Sequence, residues 1–287
     1  MYAITGISGK VGGVLANVLL EAGKPIRAVV RNPANGKSWA SRGCEVVTAE
    51  MTDAEALAKA FAGSEGVFIL PPSEFDPSPG FPEAQGVIDA VVAAVAHAKP
   101  RKIVCLSTVG AQAKRTNLLS QRTLMEQALS AQPIPVTFLR PGWFMENLAW
   151  DVESARNEGV IHSFLYPVDK AFPMVATADV GRVAAHLLQQ EWEGRRIVEL
   201  EGPARATPND VAAAFSKALD KPVRAEVVAR ETWEALFKAQ GMKNPVPRIQ
   251  MLDGFNEGWI SFEGTENLIL KGQTELSTVI RKLADGA

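Results

Sequence analysis

The sequence is poor in the residues that announce several common chemistries. Only two cysteines occur among 287 residues. Cys44 and Cys105 each lie in a β-branched apolar run that reads as a buried strand, so both read as small core hydrophobes, with no disulfide or zinc site expected. Histidines number three and tyrosines two, which leaves few groups for proton transfer near neutral pH. An excess of one charge is also missing: the formal net charge is -2, which argues against broad attraction to nucleic acid. No apolar run approaches the roughly 18 residues that span a bilayer. The N-terminus carries neither a basic n-region nor a cleavable apolar stretch, and a cytoplasmic protein with no membrane partner is the expectation. Repeats, charge blocks and low-complexity tracts are absent too.

What remains is an ordinary globular composition, 47% hydrophobic and 22% charged, in a chain long enough to bury a large core and to elaborate it with a second lobe. Up to about Arg140, short β-branched runs alternate with stretches of helical period, the pattern of a parallel sheet wrapped by helices. The expected strands are Tyr2 to Thr5, Ile26 to Arg31, Cys44 to Thr48, Gly66 to Leu70, Lys102 to Ser107 and Val136 to Arg140. Their continuous apolar character predicts burial on both faces. Thr52 with Glu55 reads as a capping box, and Asp53 adds charge to the same first turn. Helices are expected near Thr177, after Thr207 with Pro208 at its first position, and from about Glu275. Residues 245–264 do not fit the alternating pattern and are assigned to the smaller lobe, expected to cover a cleft.

Residues Ile4 to Gly13 read ITGISGKVGG, placing Gly6, Gly9 and Gly12 in a G-x-x-G-x-x-G run between the first strand and the first helix. The first glycine permits a sharp exit from the strand, the second lets backbone approach a pyrophosphate, and the third lets the helix pack close to the sheet. A tight turn needing three small residues has the same letters. Its place in a strand-turn-helix-strand unit favours dinucleotide binding, with the helix N-terminus aimed at the phosphates. Arg31, in RAVVRNP, ends the second strand where an NAD-selective protein usually carries an acid for the ribose hydroxyls. An arginine there can pair with a 2′-phosphate, which predicts NADP(H) over NAD(H); the plainer use is a solvated strand-end charge. Residues 1–150 are thus expected to form the NAD(P)-binding domain. Residues 151–287 are expected to supply the remaining sheet elements and a substrate-side lobe within one continuous fold.

The chain resembles the NmrA-like branch of the atypical short-chain dehydrogenases/reductases, through TGISGKVGG, RAVVRNP, KIVCLSTVGA, LRPGWFMEN and TADVGRVAA. The resemblance implies a doubly wound α/β parallel sheet, the Rossmann fold, with a smaller C-terminal α/β lobe. It also implies cofactor contacts from Gly6, Ser8, Gly9, Lys10, Val11, Gly12 and Arg31, with Leu70, Ser107 and Pro141 lining the nicotinamide side. Family members divide between reductases of quinones or related acceptors and proteins that bind the nucleotide to report redox state.

The carbonyl-reducing enzymes of the wider superfamily use a tyrosine and a lysine four residues later on one helix face. Here Tyr2 begins the first strand, and Tyr166 with Lys170 lies in YPVDK, where Pro167 predicts a loop. The helix expected to carry the pair, Asn117 to Ala131, places Leu118 at the tyrosine position and Arg122 where relatives have lysine. Arg122 could hold a ribose or phosphate, or be a solvated helix residue. Without a positioned acid the favoured chemistry is hydride transfer from NADPH to a quinone or other conjugated acceptor, whose reduced form delocalises charge. The expected acceptor pocket comprises Pro71, Trp143, Phe144 and Asn147. Trp143 and Phe144 could instead pack the lobe, and Asn147 could cap a local helix. The catalytic candidates are Arg122, Asn147 and His162, with His162 the least favoured; His97 and His186 read as structural or exposed. The alternative is a non-catalytic NAD(P)-responsive regulator with a protein partner, and the sequence leaves a homodimer open.

Overall fold

The computed structural model describes residues 1–286. The strands and helices alternate from the first residues onward: β1 (Tyr2–Thr5), α1 (Lys10–Glu21), β2 (Ile26–Val30), α2 (Lys37–Ala40), β3 (Glu45–Thr48), α3 (Ala54–Phe61), β4 (Gly66–Ile69), α4 (Pro82–Ala98), β5 (Ile103–Leu106), α5 (Ser120–Ser130) and β6 (Val136–Pro141). Beyond β6 follow β7 (Trp143–Phe144), α6 (Val152–Glu158), β8 (Val160–Ser163), β9 (Met174–Val175), α7 (Thr177–Gln189), β10 (Arg195–Glu201), α8 (Pro208–Leu219) and β11 (Arg224–Val227). The last elements are α9 (Trp233–Ala239), α10 (Val246–Glu257), β12 (Leu270–Lys271) and α11 (Leu276–Ala284).

Eight strands form a mostly parallel sheet in the order β12-β10-β6-β5-β4-β1-β2-β3. The six strands from the β3 edge, β3-β2-β1-β4-β5-β6, reproduce the doubly wound Rossmann order, in which the direction of winding reverses between β1 and β4. β1, β4 and β5 are buried along their whole lengths, as the unbroken apolar runs predicted. Two small sheets, β8 with β11 and β7 with β9, lie outside this order.

The chain resolves into two compact units. The first comprises Met1–Thr108, Gln121–Arg140 and Val180–Val198; the second comprises Val109–Ser120, Pro141–Asp179 and the chain from Glu199. The core of the first packs α3 and α4 against the sheet through residues such as Phe61, Val67, Ile69, Val91 and Phe138. That of the second gathers Met145, Phe215, Trp233, Phe237 and Phe255. Within the second unit, β12 is tied to β10 by charge: the fully buried Glu201 carboxylate accepts from Lys271 and, at 2.8 Å, from Arg205 Nε. A carboxylate so enclosed requires such partners.

Local chemistry set several boundaries. Pro208 stands first in α8, as the sequence pattern implied, and Thr207 and Asp210 cap the helix reciprocally. At α3 the cap is Asp53, whose Oδ1 accepts from Ala56 N–H at 3.0 Å. The expected Thr52 capping box is therefore displaced by one residue, because the adjacent aspartate is an equally good cap and reaches the third helical N–H. α5 begins at Ser120 rather than Asn117. Asn117 Oδ1 accepts from Leu119 N–H at 2.8 Å, its amide donates to Arg115 O, and its own N–H donates to Ser120 Oγ. This side-chain turn competes with helical hydrogen bonding and leaves Leu118 buried ahead of the helix.

Candidate active site

The loop between β1 and α1 is built on two glycines that no other residue replaces without strain. Gly6 has φ +65°, and a Cβ at Gly12 would lie 2.3 Å from Gly6 O and 2.7 Å from its carbonyl carbon. The turn closes through Gly9 N–H donating to Gly6 O at 3.0 Å. Gly9 is the N-cap of α1, which has no side-chain cap and no acid in its first turn. Its leading N–H groups therefore face outward with the positive end of the helix dipole behind them. Ser8, Gly9 and Lys10 are exposed, whereas Val11 and Gly12 are buried against the sheet. All six predicted glycine-loop residues thus come together, and the arrangement fits the pyrophosphate of a dinucleotide.

Leu70 follows β4 on the other side of the switch point, its side chain 3.2 Å from the position a Cβ would take at Gly6. Thr5 Oγ1 fixes that exit by accepting from Leu70 N–H at 2.8 Å and donating to Phe68 O. Arg31 stands exposed immediately after β2, and no hydrogen bond or ion pair engages it among the described residues.

Ser107, expected beside the nicotinamide, is buried after β5 and donates to Glu126 Oε1 at 2.5 Å. Arg140 Nε and Nη2 grip the two oxygens of the same carboxylate at 2.8 and 2.6 Å. The side chains of this pair are only 4% and 11% exposed, so it is a desolvated, bidentate ion pair. Sequence reasoning missed it. Glu126 sits on a helix rich in polar residues, and its partner lies on the next strand; the one signal was Arg140 at the end of an otherwise apolar strand. Arg122, expected to hold ribose or phosphate, directs its guanidinium to Pro71 O at 2.9 Å, Pro72 O at 3.1 Å and Ser73 Oγ at 2.7 Å. Burial pushes its pKa down to about 10, which still leaves it charged at neutral pH.

The remaining candidates belong to the second unit. Pro141 is the last residue of β6, Trp143 and Phe144 form β7, and Asn147 lies half-buried in the 3-10 turn Met145–Asp151. Trp143 meets Phe255 edge-on, ring centroids 5.2 Å apart. The polar role in LRPGWFMEN falls to Glu146, another residue the sequence reading missed. Its carboxylate accepts from Thr177 N–H at 2.9–3.0 Å and from Thr177 Oγ1 at 2.6 Å, capping α7 across 31 residues of sequence. His162 is exposed on β8, 3.4 Å from Glu158. His97 and His186 are exposed.

Near His162, the half-buried Asp151 has its pKa raised to about 6 by desolvation, with His162 opposing the shift. A carboxyl whose folded pKa exceeds its unfolded value loses stability as pH rises between the two, here from about 4 to about 6. Asp151→Asn is therefore expected to be more stable than the parent at pH 8 by on the order of 1 kcal/mol, with the difference gone below pH 4. Thermal unfolding at the two pH values checks this, and a difference independent of pH would refute it.

Neither tyrosine stands beside a lysine on a helix. Tyr2 donates to Glu65 at 2.7 Å, and burial with that carboxylate drives its pKa upward. Tyr166 lies in a loop, and Lys170 donates to Phe255 O and Asn256 O at 3.1 and 2.6 Å. Both cysteines are buried and free, with burial raising the Cys105 thiol to about 12. No cluster of potential metal ligands occurs among the described residues, and no helix there is long and apolar enough to cross a membrane.

A profile of the NmrA-like family matches residues 2–258. The chain belongs to that family. Three curated relatives span most of this NmrA-like chain. NAD(P)H azoreductase of Xenophilus azovorans is 25% identical over 260 residues, covering 90% of this chain and 85% of the relative. Quinone oxidoreductase 2 of Escherichia coli is 28% identical over 244 residues, covering 84% and 82%. The (4-alkanoyl-5-oxo-2,5-dihydrofuran-3-yl)methyl phosphate reductase of Streptomyces griseus is 31% identical over 229 residues, covering 79% and 76%. Among solved structures, the E. coli NADPH-dependent quinone oxidoreductase QOR2 with NADPH superposes with a TM-score of 0.81 at 24% identity over 99% of each chain. The Citrobacter sp. triphenylmethane reductase with NADP(H) gives 0.80 at 22% identity over 98% of this chain and 99% of its own. At these identities the superpositions establish the NmrA-like Rossmann fold.

Proposed function

We propose that this NmrA-like protein is an oxidoreductase that transfers hydride from NADPH to a quinone or a similarly conjugated acceptor. The observation that carries the proposal is the uncapped N-terminus of α1 behind a turn that admits only glycine at position 12, with the unengaged Arg31 at the end of β2. The names of the relatives agree, since an azoreductase and a quinone oxidoreductase are among them.

When bound, the reduced nicotinamide supplies the hydride. The chain's part begins with the N–H groups of Lys10 to Gly12, which hold the pyrophosphate, and with Arg31, which pairs with the 2′-phosphate. The Leu70–Pro71 backbone walls the crevice at the switch point. Proton delivery is where this chain is spare, with Tyr2 held by Glu65 and Lys170 held by two carbonyls. An ordinary ketone would be left as an unstabilised alkoxide. A quinone spreads the added charge over its ring and takes a proton from water.

A second reading, an NAD(P)-responsive regulator that performs no transfer and acts on a protein partner, draws support from one observation. Ser107 and Arg122, polar residues at the crevice end of the sheet, are both engaged by protein groups. Purified protein is tested for NADPH oxidation against benzoquinones, naphthoquinones and conjugated carbonyls, with cofactor binding followed by fluorescence. Turnover supports the reductase, and tight binding without turnover supports the regulator. Arg31→Asp should weaken NADPH binding by about 10- to 100-fold, the worth of one charge-assisted contact, and leave NADH nearly unchanged. Equal losses for both cofactors would refute the role of Arg31.

A further inference from the structure

Residues 70–81 connect β4 to α4, a long passage where strand-to-helix connections usually take about 2–6 residues. The passage leaves β4 at the switch point and carries Pro71, Pro72, Pro77 and Pro79. It is fastened along its length. Arg122 takes two successive carbonyls and the Ser73 hydroxyl. Its neighbour Gln121, itself buried, donates from Nε2 to Glu74 O at 2.8 Å and accepts from Glu74 N–H at 3.4 Å. Farther on, Ser78 donates from both N–H and Oγ to Glu83 in the first turn of α4. Phe81 then enters the helix at φ 60°, a conformation that a bulky residue keeps only when its surroundings over-determine it. Between these fastenings the Phe75 ring is 56% exposed.

A single exposed phenylalanine is unremarkable on a flexible surface. On a strap whose flanking backbone is pinned from α5 on one side and α4 on the other, a ligand meeting the ring faces little of the ordering cost that a loose loop would impose. We propose that residues 71–78 form the acceptor-side wall of the site, with Phe75 as the ring that meets a planar conjugated acceptor and Arg122 and Gln121 as the positioning residues that hold it there. The inference rests on the oxidoreductase reading. It gives Arg122 a task distinct from holding the nucleotide. A lysine could not perform that task, because one ammonium on a flexible stem does not span three acceptors as a planar fork does.

The test combines steady-state kinetics on a naphthoquinone, NADPH binding, and amide hydrogen exchange over residues 73–78. Phe75→Ala should raise KM for the naphthoquinone about tenfold with KM for NADPH unchanged, and Phe75→Trp should restore it. Arg122→Lys should speed exchange in the strap about tenfold or more and lower kcat/KM for the acceptor, while the Kd for NADPH stays within about twofold. An unchanged acceptor KM in Phe75→Ala overturns the wall. Weakened NADPH binding with unchanged strap exchange in Arg122→Lys overturns the positioning role in favour of direct cofactor contact. Should the parent protein oxidise no NADPH, the oxidoreductase reading fails, and the wall is tested without turnover: protection of residues 73–78 by the naphthoquinone in NADPH-saturated protein supports it, and no protection overturns it.

Discussion

Gly12→Ala is expected to lower the affinity for NADPH by about 100-fold or more while the protein stays folded. The added Cβ would sit 2.3 Å from Gly6 O and 2.9 Å from Ile7 Cα, both backbone atoms of the turn. Backbone cannot swing aside as a side-chain tip does, so α1 must withdraw from the turn, and the N–H groups that face a pyrophosphate move with it. Loss of two charge-assisted hydrogen bonds, each about 1.5–3 kcal/mol, gives the quoted factor. Gly13→Ala is the control. Its Cβ meets only Ile7 O, at 3.4 Å, an ordinary contact, and the variant should bind NADPH as the parent does. Titration of both variants by cofactor fluorescence decides the matter, and equal affinity in Gly12→Ala and the parent would remove the glycine turn from the binding site.

The largest loss of stability is expected from Glu126→Ala. Removing the carboxylate leaves the Arg140 guanidinium, 4% exposed, buried without its bidentate partner, and breaking such a pair from one side costs about 3–5 kcal/mol. The Ser107 hydroxyl loses its acceptor at the same time. Replacing both ends, as Glu126→Leu with Arg140→Met, removes the charge as well as its partner and should recover most of the loss. Urea unfolding midpoints of the parent and the two variants test this. A single variant within about 1 kcal/mol of the parent would show that the pair is solvated in solution.

The parts of this molecule legible from its sequence were those governed by neighbours along the chain. β1 and its glycine turn, the strand-helix alternation and the Thr207–Pro208 start of α8 depend on local periodicity and capping, and the structure has them. The start of α5 was misread because Asn117 forms a side-chain turn that helical periodicity does not reveal. Glu126, Glu146 and Gln121 were illegible for a different reason. Each is a polar residue of unexceptional surroundings whose partner lies 14, 31 or 47 residues away, so its role exists only after the fold has formed. Arg122 shows the limit of carrying a role over by position. The expectation for it was a ribose or phosphate, and the acceptors its guanidinium meets in the fold are the carbonyls of a proline-rich strap.

The most direct test of hydride transfer is a single-turnover experiment in which NADPH bearing deuterium at the transferred position is saturated onto the purified chain and mixed anaerobically with a naphthoquinone. The expected result is acceptor-dependent oxidation that is slower with the deuterated cofactor and abolished by Gly12→Ala. Saturable NADPH binding with no oxidation by any quinone would contradict it.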